Sequence, residues 1–133
     1  MFYTGELHSA REILQEQSQN TWTDDKKYQN LIQMTQLAKQ LREALIEENL
    51  DDFGTILNEG WKLKREMAGG ITNPLIDETY EIAMQSGALG GKLLGAGGGG
   101  FLLFYCEKEN QKRLRSALNH LIDLPFDLEN GGT

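Results

Sequence analysis

Residues 87–106 read GALGGKLLGAGGGGFLLFYC and differ in composition from the rest of the chain. Eight of the 15 glycines fall between positions 87 and 100. The runs Lys92-Leu93-Leu94 and Phe101–Cys106 are apolar and lack helical spacing, so they predict two neighbouring strands, the second largely buried. A glycine run joins them. We therefore expect a strand–glycine loop–strand unit in the fold.

The joining run contains the G-x-G-x-x-G pattern of dinucleotide-binding proteins, in the residues Gly95, Ala96, Gly97, Gly98, Gly99 and Gly100. That pattern requires a helix directly after the glycines, because the pyrophosphate binds at a helix N-terminus. Here a strand follows instead, and no Gly-Lys-Ser/Thr sequence completes a Walker A loop. Both of these nucleotide-binding motifs are therefore excluded.

Two interpretations of the glycine run remain. A hairpin with positive φ angles needs glycine at one or two positions. Four consecutive glycines add a cost in conformational entropy on folding without further benefit to a turn. We therefore favour a loop that another backbone or a phosphate approaches closely, with successive N–H groups facing an anion.

Four amphipathic helices are predicted between residues 7 and 87. The first has a Ser9–Glu12 capping box and ends near Gln17, which leaves residues 18–23 as a loop. The others begin at favourable N-cap and first-turn residues, namely Thr23, Asp24 or Asp25, then Asp51 or Asp52, and Asn73. The third helix carries Trp61 and Met67, which fit a buried stripe.

Short strands are predicted at both ends of the chain. Phe2 and Tyr3 form the first, and Leu124, Phe126 and Leu128 alternate as an edge strand after a fifth helix within residues 107–122. The predicted fold class is α+β, with helices packed on one face of a small, mostly antiparallel, four-stranded sheet. Residues 1–133 have the length of a single domain.

Composition excludes several classes of protein. The chain has 20 acidic and 13 basic side chains and a net charge of −7, which argues against nucleic acid as a partner. Its longest uncharged apolar run is far shorter than the ~20 residues that span a bilayer. The one cysteine, Cys106, cannot form an internal disulfide and is expected to be a buried, inert thiol. We expect a soluble, cytoplasmic domain without membrane contact.

Residues 91–101, GKLLGAGGGGF, closely resemble the third conserved motif of the GHMP kinases, which include galactokinase, homoserine kinase and mevalonate kinase. Phe2-Tyr3-Thr4-Gly5 resembles the start of the C-terminal domain of that family. Residues 73–77 and 87–90 resemble the subgroup that phosphorylates D-glycero-D-manno-heptose 7-phosphate. The resemblance covers the whole chain and implies the ferredoxin-like C-terminal domain of these enzymes.

The resemblance implies a kinase that uses ATP and Mg²⁺ to phosphorylate a sugar or sugar phosphate. The family's Gly-Leu-Ser-Ser motif, metal carboxylates and general base belong to an N-terminal domain, which we expect to precede this chain as its partner. Phosphoryl transfer depends on metal and cationic groups. We therefore expect no catalytic or metal-binding residue in this chain, and neither activity nor a bound cofactor in the isolated domain. Residues 95–100 are expected to support the ATP-wrapping loop near the transferred phosphate.

Three further residues, Thr4, His8 and Lys92, are candidates for substrate contact. The resemblance places the turn after the first strand near the substrate pocket, and Lys92 directly precedes the glycine run. Simpler explanations stand beside these, because a lysine at a strand end is usually solvated and a histidine at a helix start is usually a surface or capping residue. The paired aspartates at 24–25 and 51–52 are explained by helix capping rather than by metal binding.

A free-standing ferredoxin-like binding or assembly module without catalysis is the alternative function. An upstream reading frame with the Gly-Leu-Ser-Ser motif would favour the kinase over this module. In either case, a surface that normally contacts an N-terminal domain would expose apolar side chains and favour homo-oligomers.

Overall fold

The computed structural model describes residues 1–5 and 9–127. The elements in chain order are β1 (Phe2–Tyr3), α1 (Ala10–Thr23), α2 (Asp25–Ile46), α3 (Leu50–Arg65), α4 (Pro74–Gln85), β2 (Ala88–Leu94), β3 (Phe101–Cys106), α5 (Gln111–Ala117) and β4 (Ile122–Asp123). The strands form one sheet in the order β2-β3-β1-β4, and every neighbouring pair is antiparallel. This is the ferredoxin-like arrangement, with α1–α4 and α5 as its two helical connections. The predicted α+β fold class is confirmed.

The strands β2 and β3 form the longest ladder of the sheet. Leu93 pairs with Leu102 and Gly91 with Phe104. Along this part of both strands, successive side chains alternate between the two faces of the sheet. The bounds of β3 are those predicted, whereas β2 begins at Ala88 instead of Lys92. The early part of β2 escaped prediction because glycine has low strand propensity and the register shifts between Ala88 and Gly90.

The core consists of two apolar clusters between the helices and the sheet. The larger cluster contains Ile13, Trp61, Met67, Ala68, Ile71, Ile76, Tyr80, Leu93 and Leu102. The smaller contains Phe2, Ala83, Ala88, Cys106, Leu114 and Leu118. Trp61 and Met67 are buried as predicted. Cys106 is also buried, and desolvation raises the pKa of its thiol, which fits the predicted inert role.

Helix α3 approaches β2 so closely that their backbones are in contact. A Cβ atom added to Gly90 would lie 1.9 Å from the carbonyl oxygen of Gly54. A Cβ atom added to Gly54 would lie 2.6 Å from Cβ of Leu89. Real Cβ atoms do not approach other heavy atoms this closely, so the packing of α3 on β2 requires glycine on both elements.

A tyrosine hydroxyl in α4 holds the outer edge of β2. Tyr80 Oη accepts the N–H of Gly91 at 3.1 Å and lies 3.2 Å from the carbonyl oxygen of the same residue. It also lies 3.1 Å from Oδ1 of Asn58 in α3. Burial raises the pKa of Tyr80 to about 12, against the weaker opposing effects of the Gly91 hydrogen bond and of Arg65.

Helix α1 differs from its predicted form at both ends. It continues through residues 18–23, which were predicted to form a loop, because Asn20 Nδ2 donates to the carbonyl oxygen of Met67 at 2.9 Å. Such a tertiary contact cannot be predicted from the helix propensities of neighbouring residues. Ser9 occupies the N-cap position, but its side chain makes no capping hydrogen bond. The prediction that the Ser9 side chain caps this helix is therefore wrong.

The N-cap predictions for α2 and α3 have different outcomes. Asp24 caps α2 as predicted, with its carboxylate accepting the N–H groups of Lys26 and Lys27. Helix α3 is capped by Asn49, which accepts the N–H of Asp52, so the aspartates predicted as caps lie in the first turn instead. A carboxylate is also favourable there, because it faces the positive end of the helix dipole.

The end of the chain departs furthest from the prediction. Helix α5 covers only Gln111–Ala117, and β4 covers Ile122–Asp123 rather than the predicted strand from Leu124. Leu124 donates one hydrogen bond to the carbonyl oxygen of Met1, but Pro125 has no N–H with which to extend the ladder. Leu128 lies outside the described residues. No helix within residues 1–5 and 9–127 is long and apolar enough to cross a membrane.

Replacing Gly90 by alanine is expected to lower the free energy of unfolding by roughly 1–3 kcal/mol or more, because the new methyl group meets the α3 backbone. The matched control is Gly60→Ala, since a Cβ atom at this α3 position meets nothing within 4 Å. That change is expected to raise stability by about 0.5–1 kcal/mol. Urea unfolding followed by circular dichroism tests both, and equal stabilities would contradict the close contact.

The raised pKa of Tyr80 predicts a stability difference that depends on pH. In the unfolded chain tyrosine ionises near pH 10, whereas folded Tyr80 keeps its proton to about pH 12. The contribution of Tyr80 to the free energy of unfolding is therefore complete below pH 10 and is lost as the pH rises to 12. At pH 8, Tyr80→Phe is expected to cost about 1–3 kcal/mol because it leaves Gly91 N–H without this partner. Between pH 10 and 12 that deficit should shrink. Urea titrations at several pH values measure it, and a constant deficit would contradict the assignment.

Candidate functional site

The glycine loop, residues 95–100, has a backbone that other residues adopt only under strain. The φ angles of Gly95, Gly97, Gly98 and Gly100 are +101°, +136°, +78° and +111°. A side chain at such a φ angle costs on the order of 1–3 kcal/mol. The loop therefore needs several glycines for its conformation alone, which is more than an ordinary two-residue hairpin turn requires.

One side of the glycine loop is held by segment 69–73, which connects α3 to α4. Gly98 N–H donates to the carbonyl oxygen of Ile71 at 2.9 Å, and Asn73 Nδ2 donates to the carbonyl oxygen of Gly98 at 3.2 Å. A Cβ atom at Gly97 would lie 2.6 Å from Cα of the fully buried Ile71. A backbone thus approaches Gly97 closely, but it belongs to this same domain, and the approach of a phosphate or of another domain's backbone stays a prediction.

The other side of the loop is held by Thr4 at the end of β1. The N–H of Thr4 donates to the carbonyl oxygen of Gly100 at 2.9 Å, and the N–H of Gly100 donates to Thr4 Oγ1 at 3.0 Å. Thr4 is 6% exposed. Two N–H groups of the loop, those of Gly98 and Gly100, are therefore engaged inside the domain and cannot also bind an anion.

The structure brings together only part of the predicted site. Thr4 contacts the glycine loop, whereas Lys92 is an exposed residue of β2, paired with Leu103. His8 lies outside the described residues. Substrate contact by these three residues, like phosphate contact by the loop, stays a prediction.

A cavity of about 350 Å³ with polar and apolar groups in its wall adjoins the loop at Gly98. Its lining includes Glu12 and Glu16 of α1 and Thr72 and Asn73 of segment 69–73. Glu16 Oε1 accepts the N–H of Gly69 at 2.8 Å and so ties α1 to that segment. Carboxylate, hydroxyl and amide groups together can exchange hydrogen bonds with a ligand that carries several hydroxyls.

Sequence reasoning missed segment 69–73 as a part of this site. The sequence predicts only an N-cap role for the side chain of Asn73. Asn73 does cap α4, because its Oδ1 accepts the N–H of Ile76 at 2.9 Å. Capping uses only the oxygen of the asparagine amide, so the NH₂ group remains available as a donor. This available donor is the feature of the sequence that could have suggested a second partner for Asn73.

The described residues also limit which metal ligands this domain supplies. Within residues 1–5 and 9–127, no group of three or more His, Cys, Asp or Glu residues is placed to hold a metal ion. Lys64, in α3, has a lowered pKa because of burial and the nearby positive charge of Lys92.

A comparison with protein families identifies the domain. The family model described as GHMP kinases C terminal matches residues 41–123, which is more than half of the chain. This chain belongs to the GHMP kinases. It matches the C-terminal domain of these kinases, and the resemblance predicted from the third motif is confirmed at the level of the family.

Characterised relatives of this GHMP kinase domain are sugar kinases. It is 34% identical over 118 residues to the bifunctional fucokinase/GDP-fucose pyrophosphorylase of Arabidopsis thaliana, covering 87% of the chain and 11% of that protein. It is 26% identical over 133 residues to the D-glycero-alpha-D-manno-heptose 7-phosphate kinase of Campylobacter jejuni, covering 97% of the chain and 39% of that protein. The chain thus spans well under half the length of these relatives.

Solved structures support the fold. The L. major mevalonate kinase in complex with R-mevalonate superposes with a TM-score of 0.78 and 21% identity, over 90% of this chain and 36% of that one. A Lin0012 protein from Listeria innocua superposes with a TM-score of 0.81 and 24% identity, over 95% of this chain and 38% of that one. At this level of identity, the similarity establishes the fold alone.

Replacing Gly97 by alanine is expected to destabilise the GHMP kinase domain more than the same change at Gly95. Both positions have positive φ angles, so both variants carry backbone strain. Only at Gly97 does the new methyl group also meet the Ile71 backbone, since a Cβ atom at Gly95 meets nothing within 4 Å. The additional loss should be roughly 1–3 kcal/mol in urea unfolding. Equal losses would show that segment 69–73 does not press on the loop.

Proposed function

We propose that this domain is the C-terminal half of an ATP- and Mg²⁺-dependent kinase that phosphorylates a sugar or sugar phosphate. The glycine loop would lie beside the transferred phosphate and support the ATP-wrapping loop of an N-terminal domain. One observation carries this proposal. The loop is fixed on both sides, by Ile71 and Asn73 and by Thr4, in a conformation that only glycine adopts without strain.

The fixed loop suits electrostatic stabilisation of a transferring phosphate. Backbone dipoles that are oriented before the ligand arrives need no reorganisation when charge develops. Because the N–H groups of Gly98 and Gly100 bond within the domain, they orient the loop and leave ligand contact to other backbone groups of residues 95–100. The metal carboxylates and the general base would come from the N-terminal domain, so this domain contributes positioning.

The polar side chains around the cavity at Gly98 support a sugar as the acceptor. Carboxylates accept hydrogen bonds from hydroxyl groups, and Glu12, Thr72 and Asn73 line this cavity next to the loop. The relatives named for fucose and for heptose 7-phosphate agree with an acceptor rich in hydroxyls. We propose that one sugar hydroxyl lies at Gly98, where it can meet the phosphate held by the loop.

Exposed apolar side chains support a protein partner for the domain. Trp22, Ile46 and Ile122 are 84%, 65% and 60% exposed. Covering such side chains is favourable at roughly 25 cal/mol per Å² of apolar surface removed from water. An N-terminal GHMP kinase domain, or a second copy of this domain, would provide that cover in the cytoplasm.

A coupled assay of ATP consumption tests the function. The protein is the polypeptide that joins this domain to its N-terminal domain, and the acceptors are L-fucose, galactose, D-glycero-D-manno-heptose 7-phosphate and mevalonate. We expect turnover with a sugar or sugar phosphate and none with mevalonate, and the 133-residue chain alone should be inactive. A folded polypeptide without turnover on any acceptor would favour the non-catalytic module.

Replacing Gly98 by valine in the active polypeptide is expected to lower turnover roughly tenfold or more, because the branched side chain displaces groups that must be positioned to within about 1 Å. The control is Gly90→Ala, which destabilises the domain at the α3–β2 contact and reports how much activity is lost through instability alone. Melting temperatures are measured on the same preparations. Near-normal turnover in a folded Gly98→Val variant would falsify the role of the loop.

A further inference from the structure

An apolar groove lies between α2, α3 and the edge strand β2, apart from the cavity at Gly98. Its volume is about 340 Å³, within the range of roughly 300–1,000 Å³ that is typical of small-molecule sites. Leu37 and Leu41 of α2, Ile56 of α3 and Leu93 of β2 line it, together with Trp61. A ligand in this groove therefore needs an apolar body.

Two lysines, Lys64 of α3 and Lys92 of β2, also line the groove, and no acidic residue does. In the part of the chain that the structure describes, neither lysine forms a salt bridge. Lys64 Nζ donates to Oε1 of Gln17, which is a neutral partner. Burial and the positive charge of Lys92 lower the pKa of Lys64, because the two positive charges repel each other. On a chain with a net charge of −7, this is a local site of uncompensated positive charge.

Trp61, which lines the groove, carries a buried hydrogen-bond donor. Its indole Nε1 is buried and has no hydrogen-bond partner among the described residues. The ring stacks on Tyr80 with a centroid distance of 5.8 Å, so the indole is held in place from one side. A buried donor without a partner destabilises the fold.

We propose that this groove binds a small amphipathic anion. Its apolar body would lie against α2 and Trp61, and its carboxylate or phosphate group would pair with Lys64 and Lys92. A sugar or a nucleotide does not fit, because a polar ligand would lose hydrogen bonds to water against the leucine walls. The site is thus additional to the proposed kinase function and does not depend on it. Gly95, the first residue of the glycine loop, also lines the groove, so the anion would contact the base of that loop.

Titration of the 133-residue chain with octanoate and with 1-octanol tests the proposal. The chain has two tryptophans, so Trp22→Phe leaves Trp61 as the sole fluorescent reporter. We expect a saturable change in Trp61 fluorescence with octanoate. The neutral alcohol should bind about tenfold more weakly or worse, since it lacks charge-assisted hydrogen bonds. Equal affinities for octanoate and octanol would overturn the anion site. Octyl phosphate, run in parallel, shows which anionic group the lysines prefer.

Substitutions in the same Trp22→Phe background locate the site. Lys64→Met and Lys92→Met should each weaken octanoate binding several-fold, whereas Lys62→Met, on the same helix but outside this groove, should leave it unchanged. Gly60→Leu fills the groove, because a Cβ atom there meets nothing within 4 Å, and it should abolish binding. Calorimetric titration gives a readout that does not depend on Trp61. A folded Gly60→Leu chain that binds octanoate as tightly as its parent would overturn the proposal.

Discussion

The contact between the backbones of Gly54 and Gly90 is the constraint on which the arrangement of helices and sheet depends. With no side chain on either residue, α3 lies directly on β2, and its position is fixed by hard atomic contact. That position sets Trp61 in the core and places the C-terminal end of α3 so that segment 69–73 reaches the glycine loop. One pair of glycines therefore positions both the core and the support of the candidate site.

The glycine loop combines two requirements that a sequence pattern cannot separate. At Gly97 the absence of a side chain makes room for Ile71, which is a requirement of packing within the domain. Along the loop, positive φ angles are a requirement of backbone conformation. Thr4 and Asn73 then lock the loop through hydrogen bonds to Gly100 and Gly98. A rigid loop that is stabilised from inside the domain can hold a ligand without itself having to become ordered.

The sequence predicted features that depend on local chemistry. The bounds of β3 and the helix start at Asn73 follow from residue types at adjacent positions. Features that depend on distant residues could not be predicted. Asn20 extends α1 through a bond to a residue 47 positions away, and Asn73 meets the glycine loop 25 positions away. The family could be recognised because its third motif is continuous, whereas the groove exists only after α3 packs on β2.

The hydroxyl of Tyr80 has a consequence for the behaviour of the protein at high concentration. Strand β2 lies at an edge of the sheet, where unpaired backbone groups are a template for strand addition and aggregation. Tyr80 satisfies the outward N–H and carbonyl groups of Gly91, and the irregular register between Ala88 and Gly90 interrupts the start of that edge. The opposite edge, β4, is only two residues long and carries the charged Asp123. The domain can therefore retain a glycine-rich, apolar edge strand while resisting the edge-to-edge association that leads to fibrils.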